Sequence, residues 1–484
     1  MANHDKRRPN IVFILTDDQG YWALGCNGNN EIMTPNIDKL AEEGARFENF
    51  YCASPVCSPA RASLLTGRIP SQHGVHDWIR EGNTGPNAIE YLKGMRGYTD
   101  DLADAGYQCA LSGKWHLGNS AVPQKGFRLW YAHQRGGGNY FNAPMIKDGK
   151  PIVQEGYVTD AITENALEFL TQMNQSDAPF YLSVHYTAPH SPWTNGNHPK
   201  ELLELYDGCS FRSCPRMEPH PWSVFSTAPD ALTREDVQHP EESLKGYFAA
   251  VTGVDRGVGR IMEHLKVLGI EENTLVVYTA DNGFNCGHHG IWGKGNGTFP
   301  MNMYDTSIRV PLIFWHPGRI QPRTVIRDMV SAYDMRPTLL EHVGIHAEAD
   351  TNLPGHSFEC VFRREKPRRE DEDMVVVFDE YGPVRMIRSQ TDKFVCRYPY
   401  GPDEYYDLVN DPNEENNLID QPEHQERVHI LKQYMEAWFA RYVDPTRDGR
   451  GERVTGNGQL DMAGEHASKY QTYEPCGYEY HVKA

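Results

Sequence analysis

Residues 9–18 read PNIVFILTDD: five apolar residues, Ile11 to Leu15, run straight into Thr16, Asp17 and Asp18. A short apolar run of this kind, closed abruptly by polar residues, predicts a buried strand over 10–16. Working outward, further apolar runs at 109–112, 180–185, 274–279 and 310–315 read as strands. Between them, 34–44, 161–172 and 244–268 carry apolar residues at helical spacing. Strand–helix alternation predicts an α/β fold, a large mostly parallel or mixed sheet flanked by helices on both faces. In such sheets ligands bind where loops leave the carboxyl ends of the strands. Polar chemistry placed just after a predicted strand is therefore the signal to follow.

The pattern changes near residue 370. Segments 375–378, 384–389 and 393–398 read as closely spaced strands and 423–442 as a helix. They predict a smaller C-terminal α+β subdomain, an antiparallel sheet with one packed helix. The chain divides into a large domain over 1–370 and a small one with its tail over 371–484, with the charged run 363–373 between them. Residues 190–240, rich in Pro, His and Trp, read as a long surface insertion whose length suits a lid.

The 484 residues are 39% hydrophobic and 23% charged, with a net charge of −19, an ordinary globular balance. No apolar run approaches the ~20 residues of a membrane-spanning helix. The polar opening MANHDKRRPN lacks the apolar stretch of a secretory signal, so a cytoplasmic chain with no membrane partner is expected. The acidic balance excludes broad nucleic-acid binding, which relies on Lys and Arg at phosphates. An anionic substrate would need a locally basic pocket. The ten cysteines are scattered without CxxC pairs, which suits reduced thiols. Cys209 and Cys214 are near enough in sequence to pair or share a metal.

Three stretches carry chemistry. Asp17 and Asp18 follow the first strand, and alone they fit either a solvated cap or a cation site. Asp281 and Asn282 follow the strand at 274–279, inside TADNG. Carboxylates and an amide oxygen from two strand ends make a hard-oxygen donor set suited to calcium, or less well magnesium, and the absence of a Cys/His cluster argues against zinc. The third stretch is Cys57-Ser58-Pro59-Ala60-Arg61, which fits a loop entering a helix with Pro in its first turn. Cys57 would then lie at the helix's positive end, with Arg61 one turn on along the same face. A buried structural thiol fits that position equally well.

C-x-P-x-R followed by ASLLTGR resembles the signature of the formylglycine-dependent sulfatases of the alkaline-phosphatase superfamily. PNIVFILTDD, TPNIDKLAEEGARFENFY, GKWHLG, APHSP, ADNG, HHGIWGKG and RVPLIFW follow in the family's order over 9–345, and YYDLVNDPNEENNL resembles its C-terminal part. The resemblance implies a sulfuric ester hydrolase in which a maturation enzyme oxidises Cys57 to formylglycine. It further implies that Asp17, Asp18, Asp281, Asn282 and an oxygen of residue 57 hold calcium. The hydrated aldehyde would attack sulfur and form a covalent sulfate ester. Arg61 would hold that hydrate, Lys114 and Lys294 would clamp sulfate oxygens, His116 would take the proton that expels sulfate, and His190 would serve the leaving oxygen. Fixed cations suit such a transfer, because charge spreads over the equatorial oxygens and builds on the leaving group.

The neighbouring residues divide less sharply. His185 reads as a packed strand residue, Trp115 and Trp292 as packing, and His288 and His289 as either substrate contacts or loop packing. His73, His76, Trp78 and Arg80 are candidates for the pocket mouth. Trp193, His198, Arg212, Arg216, His220 and Trp222 of the insertion are candidates for a selectivity wall. The expected substrate is a small sulfated mono- or oligosaccharide, such as a fragment of a glycosaminoglycan. The rival reading is a phosphodiesterase or phosphonate monoester hydrolase of the same superfamily.

Overall fold

A computed structural model describes residues 8–224, 237–346, 352–365, 377–464 and 471–475. The first strands in chain order are β1 (Asn10–Thr16), β2 (Ala45–Tyr51), β3 (Gln108–Lys114), β4 (Phe127–His133), β5 (Phe141–Lys147) and β6 (Lys150–Tyr157). They are followed by β7 (Phe180–His185), β8 (Thr274–Ala280), the two-residue pair β9 (Asn285–Cys286) and β10 (Trp292–Gly293), β11 (Leu312–Trp315) and β12 (Thr324–Ser331). All but β9 and β10 join one ten-stranded sheet in the order β12-β2-β11-β8-β1-β7-β3-β4-β5-β6. The central run β8-β1-β7-β3-β4 is parallel. Next to it, β11 and β5 run antiparallel, which makes the sheet mixed.

β1 shows why the sheet is covered twice. Ile11, Phe13 and Leu15 belong to one core cluster, Val12 and Ile14 to the other, and none is more than 1% exposed. Side chains alternate across a strand, so an all-apolar strand needs helices on both sides. On the Val12 face lie α1 (Pro35–Glu42), and on the Ile11 face α2 (Cys57–Thr66) and α3 (Tyr98–Asp104). The Val12 face also receives α4 (Val158–Met173) and the long α5 (Glu241–Val267), and the Ile11 face α6 (Met335–His342). Burying each of the five β1 side chains stabilises the fold by roughly 1.5–3 kcal/mol.

The C-terminal part holds β13 (Val377–Tyr381), β14 (Val384–Arg388), β15 (Asp392–Arg397) and β16 (Glu404–Asp407), an antiparallel sheet one strand larger than expected. One helix, α7 (Gln425–Tyr442), packs Val428, Leu431, Met435 and Phe439 on it, in the same cluster that covers the Ile11 face. Beyond α7 the chain returns across the main domain. Gln459 bridges to Ile79, its side-chain oxygen accepts from the His76 N–H at 2.8 Å, and Trp78 Nε1 donates to the Gly456 carbonyl at 3.0 Å.

The 190–240 insertion is not a plain surface loop over its described part. Trp193, His198, Leu202, Leu203, Tyr206, Phe211 and Cys214 are buried, and the apolar ones belong to the same cluster as α5; residues 225–236 lie outside the described residues. Among the described residues no helix is long and apolar enough to cross a membrane.

Candidate functional site

The chemistry assembles where four adjacent parallel strands end. β8 delivers Asp281 and Asn282, β1 delivers Asp17 and Asp18, β7 leads through His185 to His190, and β3 delivers Lys114 followed by His116. The ladder itself continues into these loops: Asp281 N–H donates to the Thr16 carbonyl and Asp17 N–H to that of Ala188, both at 3.1 Å. Carboxylate oxygens of Asp17, Asp18 and Asp281 come within 4.8 Å of one another, all buried.

Three buried cations answer these three carboxylates. Lys114 Nζ contacts Asp17 Oδ2, Lys294 Nζ lies 2.5 Å from Asp18 Oδ1, and Arg61 Nε lies 2.8 Å from Asp281 Oδ2. Burial opposes ionisation of Asp17, yet Lys114 and His190 hold its carboxyl below the ordinary range. Asp18 behaves likewise, with Lys294 and His190 outweighing burial. Asp281 goes the other way: burial and the Asp17 charge raise it, against Arg61. A cluster of buried charges persists only when it is paired and hydrogen-bonded, and here each carboxylate has its own cation.

The same residues fit a divalent metal. Asp17 Oδ1 and Asn282 Oδ1 are buried with no hydrogen-bond partner among the described residues, although buried acceptors are nearly always satisfied. Asn282 Nδ2 donates 2.8 Å to Asp18 Oδ1, so the amide is anchored while its own oxygen is left over. The donors are all oxygens, which suits a hard cation.

Cys57 is the first residue of α2, after Val56 in extended conformation, and is 3% exposed. The helix's unpaired N–H groups favour anions there, whereas burial raises the thiol above its ordinary value, against Lys114 and Lys294. Lys294 Nζ is 3.4 Å from Cys57 Sγ. It stands just after the β9–β10 ribbon, and the adjoining Gly295 donates its N–H to the Pro55 carbonyl at 3.0 Å. A side chain at Gly295 would lie 2.5 Å from Pro55, so glycine lets the Lys294 loop close on the Cys57 loop. Arg61 also donates to the Lys114 carbonyl at 3.2 Å, tying α2 to the end of β3.

His116 Nε2 lies 2.9 Å from the Ile79 carbonyl. A carbonyl only accepts, so Nε2 carries the hydrogen and Nδ1, buried and without a partner among the described residues, keeps its lone pair. Burial and Lys114 push this imidazole well below the ordinary histidine value, so it stays neutral. His190 donates from Nδ1 to the Ser191 carbonyl at 2.8 Å, and its Nε2 faces Asp18 Oδ2 at 3.7 Å with the side chain 20% exposed. His185 is different: its Nδ1 is 3.1 Å from the Lys114 carbonyl and burial lowers it to about 3, as suits a packed strand residue.

All ten positions read from the sequence thus gather at one sheet edge; the peripheral candidates separate. His73 and His76 are fully buried, against Ser63 and the Arg447 carbonyl, and do not reach a mouth. Trp193 and His198 are core residues, not a selectivity wall: Trp193 donates to the Pro189 carbonyl and His198 packs on Tyr140. His288 packs on Trp22, His289 stacks on Tyr304 at 3.8 Å, and Trp115 packs on Trp130. Arg216 pairs with Glu241, while His220 and Trp222 contact Tyr304 and Arg397. Cys209 and Cys214 are both free thiols. Sequence reasoning passed over Arg135-Gly136-Gly137-Gly138, the β4–β5 loop that lies against His116 and His190; three consecutive glycines were its only signal.

Comparison with known proteins agrees with this geometry. Residues 9–345 match the family described as sulfatase, and residues 287–440 match the C-terminal region of N-sulphoglucosamine sulphohydrolase. The chain is 29% identical to an N-acetylglucosamine-6-O-sulfatase of Bacteroides thetaiotaomicron over 92% of its length and 88% of that protein. It is 30% identical to an ulvan-active sulfatase of Formosa agariphila, over 86% and 78% of the respective chains. A structure solved in complex with its substrate D-glucosamine-2-N,6-O-disulfate superposes with a TM-score of 0.76 at 27% identity, covering 92% of this chain and all of that one.

Proposed function

The chain belongs to the sulfatase family and hydrolyses sulfate esters, and from that premise we propose that its substrates are small sulfated amino sugars, with the 6-O-sulfate as the ester cleaved. The observation that carries the reading is the buried constellation of Cys57, Lys114, Lys294, His116 and an Asp/Asn cluster at adjacent strand ends, with the half-buried His190 beside it. The substrate assignment draws on relatives named for N-acetylglucosamine-6-O-sulfate and N-acetylgalactosamine-6-sulfate, and on the disulfated glucosamine bound by a structural neighbour.

Calcium is the cation we assign to Asp17, Asp18, Asp281 and Asn282, where it would supply fixed positive charge beside residue 57 and the sulfate. Residue 57, once oxidised to formylglycine by a maturation enzyme and hydrated by water to the gem-diol, would supply the attacking hydroxyl. The chain's own groups do the rest. Lys114 and Lys294 hold sulfate oxygens and stabilise charge as it spreads over them. Arg61, fixed by Asp281 and the Lys114 carbonyl, orients residue 57. His116 accepts a proton at Nδ1, the ring atom left with a free lone pair. His190, the partly exposed histidine, delivers a proton to the leaving sugar oxygen.

The test is free-sulfate release by enzyme co-expressed with a formylglycine-generating enzyme, with calcium present. N-acetylglucosamine 6-sulfate, an aryl sulfate and matched phosphate esters form the panel. Release from the sugar that vanishes in Cys57→Ala is expected; turnover confined to phosphate esters would overturn the assignment.

A further inference from the structure

The loop joining β4 to β5 cannot stand away from the catalytic histidines. A methyl group added at Gly136 would lie 2.3 Å from Cε1 and 2.4 Å from Nε2 of His116, and one at Gly137 3.1 Å from Nδ1 of His190. The backbone of this loop is therefore a wall of the site. Its ends are fixed: Gln134 N–H donates to the Pro144 carbonyl at 2.9 Å, and Tyr140 OH donates to the His190 carbonyl at 2.7 Å. Between these anchors Arg135 is exposed. Arg135 is the immediate neighbour of Gly136, the residue against His116, a single Cα step of about 3.8 Å away.

The other cations around the site are already engaged. Lys114, Lys294 and Arg61 face Asp17, Asp18 and Asp281. Arg80, on the loop beside Ile79, is 3.6 Å from Glu474 and 3.5 Å from the Asn457 carbonyl. Arg135 hydrogen-bonds only through its backbone, to His133, and its guanidinium has no carboxylate or hydrogen-bond partner among the described residues. An exposed, uncommitted arginine beside the glycines that meet His116 and His190, on a chain of net charge −19, is placed to meet a ligand anion rather than a protein one.

We propose that Arg135 is a specificity-determining residue that binds a second anionic group on the substrate, a sulfate or carboxylate carried by the same sugar or the next one. The proposal rests on the sulfated-sugar reading and adds that the preferred substrate carries at least two anions. The scissile sulfate is held by the buried lysines, and the second anion meets the guanidinium at the rim. Gly136 and Gly137 let the loop approach closely enough for both contacts at once.

The experiment compares kcat/KM of the matured enzyme on N-acetylglucosamine 6-sulfate, glucosamine 2-N,6-O-disulfate and a uronate-linked disaccharide of N-acetylglucosamine 6-sulfate. Product analysis verifies which sulfate leaves. Wild-type enzyme is expected to favour at least one doubly charged substrate over the singly charged one. Arg135→Gln is expected to lower that preference roughly tenfold, about 1.4 kcal/mol, mainly through KM, and Arg135→Lys to restore part of it. Loss confined to the N-sulfated arm assigns the anion as a sulfate, and loss confined to the uronate arm as a carboxylate. A preference ratio within twofold of wild type in both arms overturns the Arg135 assignment alone. Absence of 6-sulfate release from all three substrates overturns the sulfated-sugar reading and the Arg135 assignment together.

Discussion

Replacing Gly136 with alanine tests how closely the β4–β5 loop sets the catalytic geometry. The added methyl would stand 2.3 Å from His116 Cε1, where ordinary contact begins near 3.4 Å, so ring or loop must yield by 3.4 − 2.3 = 1.1 Å. The ring is tethered, because Nε2–H donates to the Ile79 carbonyl and Ile79 N–H donates to Ser58 Oγ at 2.9 Å. A displacement of about 1 Å at a reacting group costs on the order of 10²-fold in rate. Steady-state kinetics on a singly sulfated sugar should show kcat of Gly136→Ala reduced by about that factor, with KM little changed. Gly137→Ala makes a useful comparison: its methyl would meet His190 at 3.1 Å, a deficit of only 0.3 Å, and its loss should be smaller. Thermal melting of both variants should stay near wild type, since the loop is half-exposed. If Gly136→Ala keeps kcat within threefold of wild type, or loses less than Gly137→Ala, the loop does not position the imidazole.

Three further outcomes are expected. Arg61→Ala strands the buried Asp281 carboxylate, 2.8 Å from the lost guanidinium, and should lower unfolding stability by about 3–5 kcal/mol; a shift below about 1 kcal/mol in urea titration would show that Asp281 is held by other groups. Calcium at 100 times its dissociation constant should stabilise the protein by about 2.7 kcal/mol, seen as a raised Tm that a chelator reverses and Asp17→Asn abolishes; an unchanged Tm would remove the metal from Asp17. Burial depresses His133 and His198 to about 4 and His316 to about 3. An unfolded histidine takes up a proton below about pH 6.5 that these folded ones refuse, so stability should be full above pH 6.5 and fall as pH drops towards 4. A denaturant midpoint that does not move between pH 7 and pH 5 would contradict this.

The sequence announced the parts of the fold whose physics is local. β1 is all apolar because both its faces are covered, so its run and the acids that end it stand out without any tertiary knowledge. β2, β6 and β12 went unseen because strands nearer the sheet edges mix exposed and buried residues; β6, for instance, sets Lys150, Gln154 and Glu155 among apolar residues without alternation, and its Val153 is exposed. The inner site was legible because its chemistry sits immediately after strands and in recognisable motifs. The roles of Trp193 and His198 were not, since a Pro- and Trp-rich segment reads alike whether it drapes over a surface or plugs a core. Arg135 escaped because one arginine among glycines says nothing until the loop is seen to rest on two imidazoles.

The return of the C-terminal segment sets an order in time. Cys57 is 3% exposed within α2, and Ile79, hydrogen-bonded to the adjoining Ser58, is bridged by Gln459. Cys57 and Gln459 are 459 − 57 = 402 residues apart, so at ~5–20 residues per second the ribosome needs roughly 20–80 s to travel from one to the other. During that interval the Cys57 segment is exposed on a chain that lacks the residues to enclose it. Any enzyme that oxidises Cys57 is therefore in a race with folding. On the proposed formylglycine chemistry, a protein that folds first would be well packed and melt normally, yet lack the attacking group.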